Sequence, residues 1–75
     1  MDWPAAHRFV AELSPGARAD LLRVLTASSE VRTDVIRQFH EHGKEDIAEL
    51  LILLEENDAA RQAVIEELRG SLPAL

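Results

Sequence analysis

Apolar residues recur along this chain at three- and four-residue intervals, broken by capping residues, prolines and glycines, and that rhythm predicts helices throughout. The first is expected over 3–13, with Asp2 as its cap, Pro4 in its first turn and Trp3, Ala6, Val10 and Leu13 as an apolar stripe that Phe9 widens. Ser14 followed by Pro15 starts a second helix, in which Ala17, Leu21, Val24 and Leu25 share a face, and which should stop near Ala27. Ser28 or Ser29 caps a third, lined on its inner side by Val31, Val35, Ile36 and Phe39 and stopped by Gly43. The fourth, from Lys44 to Glu56, is the most apolar stretch. Ile47, Leu50, Leu51 and Leu54 fall within one arc of about 100°, and Glu45, Glu49 and Glu56 gather opposite. Asn57 or Asp58 caps a fifth helix with Ala60, Val64, Ile65 and Leu68 facing inward and Gly70 at its end. The tail 71–75, which contains Pro73, is expected to fray.

The helices are related. Sliding the chain by 29 residues lays Ala19, Leu21, Leu22, Leu25, Arg32, Val35 and Ile36 on the identical Ala48, Leu50, Leu51, Leu54, Arg61, Val64 and Ile65 without a gap. The expected fold class is therefore all-α, a compact bundle of four to five short helices built from a duplicated helical hairpin. One domain is expected over 1–70, with a lead helix at 3–13, hairpin one at 15–42 and hairpin two at 44–69.

Arg32 and Arg61 stand inside the apolar arcs of the third and fifth helices, one turn before the Val-Ile pair. In an antiparallel hairpin that position abuts the end of the preceding helix, so each guanidinium is expected to bond unsatisfied carbonyls there while its stem covers apolar surface. Asp20 and Glu49 fall at the far end of each hairpin and are not expected to be the partners of these arginines.

Composition narrows the setting. A chain of 75 residues hides only about 60% of its unfolded surface, and with no cysteine it has neither disulfide nor thiolate-metal braces, so helix packing or self-association must hold it. No stretch reaches the roughly 18 apolar residues of a membrane span and no basic-then-apolar leader opens the chain, which points to a cytoplasmic protein. The net charge of −6 is uneven: five arginines balance five acids over 1–38, whereas three bases face nine acids over 39–75. Such a second half repels nucleic acid and anionic membranes and suits a basic or neutral protein surface.

Chemistry-bearing patterns are sparse. His40 and His42 flank Glu41, but residues two apart on a helix diverge by roughly 200° and cannot share one ion, and helical zinc sites need histidines four apart. Both read as a solvated helix end, and His7 as a boundary residue of the first helix. Glu55 with Glu56 and Glu66 with Glu67 also diverge, so they form no carboxylate dyad. No catalytic residue, cofactor or metal is expected, and an enzyme is not.

The expected function is a protein-protein interaction module: an adaptor, a small regulator or inhibitor, or an oligomerisation domain. Between the two hairpins the informative outer-face difference is that Arg23 becomes Ile52, beside the glutamates of the fourth helix. Glu45, Glu49, Ile52 and Glu56 are the expected partner-binding residues, suited to a partner with an apolar anchor among Lys or Arg, or to a second copy. The competing reading is that a neighbouring helix, such as the first, covers Ile52 within the molecule. A DNA-binding helix-turn-helix is the alternative from another class, with Arg32 and Arg37 in the groove. Against it, the turn 26–29 lacks glycine, Arg32 faces the core, and Glu66 and Glu67 stand where phosphates would lie in the second hairpin.

Overall fold

A computed structural model describes residues 2–71, in five helices: α1 (Trp3–Glu12), α2 (Pro15–Leu25), α3 (Ser29–Glu41), α4 (Glu45–Glu56) and α5 (Asp58–Ser71). The expected tail lies outside the described residues except for Ser71, which is helical.

Local chemistry sets the boundaries. The Asp2 carboxylate accepts the Ala5 N–H at 2.9 Å, and the hydroxyls of Ser14 and Ser28 accept those of Ala17 and Val31 at 3.2 and 3.3 Å. Asn57 ends α4 and caps α5, its side-chain oxygen accepting the Ala60 N–H at 3.1 Å. Pro15 forces Ser14 into extended backbone, which separates α1 from α2. Gly43 adopts φ 72°, and around it the Lys44 N–H donates to the Phe39 carbonyl at 2.8 Å while its own N–H donates to His40 at 3.1 Å. That pair of bonds is the Schellman closure, which satisfies the last carbonyls of α3 and turns the chain into α4. Gly70 does not act in the same way: α5 continues through it to Ser71, and its φ is not positive. A glycine stops a helix through the left-handed conformation, and within a last turn it only costs about 1 kcal/mol of propensity.

The close helix neighbours are α2 with α3, α3 with α4, α4 with α5 and α5 with α2, a ring of four to which α1 is added. A radius of gyration of 11.6 Å is close to the ~11 Å of a compact chain this long. The centre is filled by Ala6 and Val10 from α1, Leu21 and Leu25 from α2, Leu50, Leu51 and Leu54 from α4, and Val64, Ile65 and Leu68 from α5. Arg18 and His7 tie α1 down at its edges. The Arg18 guanidinium donates to the Ala11 carbonyl, and His7 Nδ1 lies 3.3 Å from the Glu67 carboxylate while its ring meets Trp3 edge-on at 4.6 Å.

α3 departs from expectation: none of its residues is fully buried, and Val31, expected inside, is 47% exposed. Val35, Ile36 and Phe39 are half-buried, although the residues 29 positions later, Val64, Ile65 and Leu68, are buried in the core. Both helices pack on α2 and α4, α3 chiefly on α4 and α5 more evenly on the two, and α5 is also met by α1, whose His7 lies beside Glu67.

Candidate functional site

On α4 the side chains at 45, 49, 52 and 56 all project to solvent, as their helical spacing requires. Ile52 is 45% exposed, so no described helix covers it, α1 included. Its glutamate neighbours are exposed as well, and Glu45 lies 2.9 Å from His40 Nδ1 across the α3–α4 junction.

Three arginines organise the helix junctions. Arg32 donates through Nη1 to the Ala27 carbonyl at 2.7 Å, the end of the preceding helix, and through Nε to Glu55 of α4. Arg61 instead pairs with Asp58 in the first turn of its own helix, so of the two arginines expected to bond a helix-end carbonyl, Arg32 does so and Arg61 bonds a carboxylate. Part of the divergence is local: Asp58 supplies a carboxylate three residues before Arg61, where Ser29 stands three residues before Arg32. Arg18 was not expected to take part, yet it bonds the end of α1 much as Arg32 bonds the end of α2. The available signal is spacing from the cap. Arg18, Arg32 and Arg61 each lie four residues after Ser14, Ser28 and Asn57.

With Arg32 occupied in this way, little of its guanidinium is offered outward. Arg37 is paired with Asp34, whose hydrogen bond and charge raise the guanidinium further above its ordinary pKa. His40 faces Glu45, and His42 closes the C-terminus of α3 through its backbone N–H. Among the described residues no group of three or more His, Asp or Glu converges on a metal-sized position, and no helix is long and apolar enough to cross a membrane.

What sequence spacing did not reveal is a cleft of 260 Å³ between α1, α2, α3 and α4. Phe9 and Leu13 form one wall, Ala17, Leu21 and Val24 a second, Ile47 and Leu51 a third, and Phe39 closes it. Leu21 and Leu51 are buried at its floor, and the others are half-buried. Asp20, with Arg23 at 3.5 Å, is the one ionisable side chain in the lining. An adjoining hollow shares Phe9 and Ile47 and is completed by Gly43, Lys44, Glu45 and Asp46. Most of these apolar residues read as core in the sequence, because a core stripe and a cleft wall have the same spacing. Only the mismatch in volume between the helices distinguishes them.

The arrangement defines an all-α bundle with an apolar cleft on one side and a glutamate-flanked isoleucine on another. No protein-family model matches the chain, and neither does any curated protein or solved structure.

Proposed function

We propose that this chain is a non-enzymatic protein-protein interaction module that seats part of a partner in the cleft between α1 and α4. The observation that carries this is the cleft itself: eight apolar side chains converge on it around a single carboxylate, which offers contact and desolvation. The acidic ridge of Glu45, Glu49, Ile52 and Glu56 is a second contact surface in this proposal, with Glu45 at its end beside the hollow that adjoins the cleft.

Affinity capture with three baits tests it: the unaltered chain, Val24→Glu at the cleft wall and Ile52→Glu on the ridge, each first checked for helicity. A partner held by the unaltered chain and lost from the Val24 variant supports the cleft, and one lost from the Ile52 variant assigns the contact to the ridge. Capture of nothing, or equal capture by all three, refutes the proposal.

A further inference from the structure

The cleft has a shape and a charge that select among partners. Its walls are presented at helical spacing: Phe9 and Leu13 on α1, Ile47 and Leu51 on α4, and Ala17, Leu21 and Val24 on α2. Rows of side chains four apart leave grooves that a further helix fills with a row of its own. Recognition by strand addition needs a free sheet edge, and the described residues contain no strand. The charge around the cleft is negative on balance. Asp20 lies in the lining with the exposed Arg23 3.5 Å away, and Glu45 and Asp46 edge the adjoining hollow against the single Lys44. Over longer range the excess of acids in 39–75 gives the same sign.

Resting on the reading of the cleft as a docking site, we infer that its occupant is an amphipathic helix of another protein, with two large apolar side chains four residues apart seated between Phe9, Leu21, Phe39 and Leu51, and with Lys or Arg beside them facing Asp20 and Asp46. The apolar pair supplies contact area in the cleft. The basic residues set orientation and speed the encounter.

Amide NMR titration of the ¹⁵N-labelled chain tests this with three probes: a helical peptide bearing two leucines four apart flanked by lysines, the same peptide with glutamates for the lysines, and octyltrimethylammonium. The lysine peptide is expected to shift Ala17, Leu21, Val24 and Leu51 and to bind roughly tenfold more tightly than the glutamate peptide at low salt, as two exposed ion pairs would give. Asp20→Asn with Asp46→Asn should remove most of that ratio, and Val24→Glu should abolish binding. If Val24→Glu fails to fold, Ala17→Gln in the half-buried wall takes its place. Equal affinity for the two peptides overturns the basic partner. Cleft shifts with octyltrimethylammonium and neither peptide overturn the helical occupant while leaving the cleft a binding site. No cleft shift with any probe overturns the docking reading as well. A dimer in light scattering that Val24→Glu dissociates makes the occupant a second copy and overturns the inference.

Discussion

Replacing Arg32 with alanine removes two contacts at once, and their sizes can be worked from the structure. The first is a hydrogen bond from a charged donor to the Ala27 carbonyl at 2.7 Å, in part-buried surroundings. Bonds to charged groups contribute about 1.5–3 kcal/mol net, and the lower end applies because water can reach a carbonyl at a helix end once the guanidinium is gone. The second is the ion pair with Glu55, whose side chains are 14% and 28% exposed, which places it near the upper end of the surface range at about 1 kcal/mol. The two contacts share one guanidinium and do not add fully. A loss of about 2 kcal/mol is expected, which lowers Tm by roughly 8–16 °C in a domain of this size. Arg61→Ala is the internal control. Its partner Asp58 is 75% exposed and three residues away on the same helix, so about 0.5 kcal/mol is at stake beyond the packing of the stem. Thermal melts followed by far-ultraviolet circular dichroism measure both, and Glu55→Ala completes a double-mutant cycle with an expected coupling of about 0.5–1 kcal/mol. An Arg32→Ala melt within about 4 °C of the unaltered chain, or an equal loss from Arg61→Ala, refutes the reasoning.

Leu54→Ala opens a cavity in the centre, where Leu54 is wholly buried, and should cost about 3–5 kcal/mol against a total of roughly 4–11 kcal/mol, as a urea titration would show. Gly43→Ala meets no neighbouring atom but must hold φ 72°, so a loss of about 1–2 kcal/mol is expected from backbone strain alone, again read from the urea midpoint. Ile52→Glu should stay within about 1 kcal/mol of the unaltered chain, because the site is exposed and the cost is repulsion from nearby glutamates, and a collapse of the melt would show that Ile52 is structural.

Much of the fold was readable because helix ends are written in single residues. Asp2, Ser14, Ser28, Asn57 and Gly43 each act through a bond or backbone angle that needs only their immediate neighbours. Gly70 misled because composition shows that a glycine can turn left-handed, while only the following chain decides whether it does. Val31 misled for a different reason: its spacing marks it as inner face, but burial also needs a helix packed over that first turn of α3, and Val31 is 47% exposed. The angle of Ile52 relative to Leu50 and Leu54 sets it off the core stripe, but whether another helix covered it was open until the packing left it 45% exposed. The cleft was not, since Leu21 and Leu51 repeat like any core pair and the space between them depends on how four helices meet.

The arginine contacts at the helix ends bear on the order of folding. Arg32 reaches only five residues back to Ala27, and Arg18 seven back to Ala11, so each corner can close while the rest of the chain is still unfolded. Closing so short a loop takes on the order of 10–100 ns, far less than the search for distant partners. Consecutive helices would then meet with their relative directions already restricted, and what is left for the slow step is the packing of Leu25, Leu50, Leu54 and Leu68, the residues that α2, α4 and α5 bring together from across the chain.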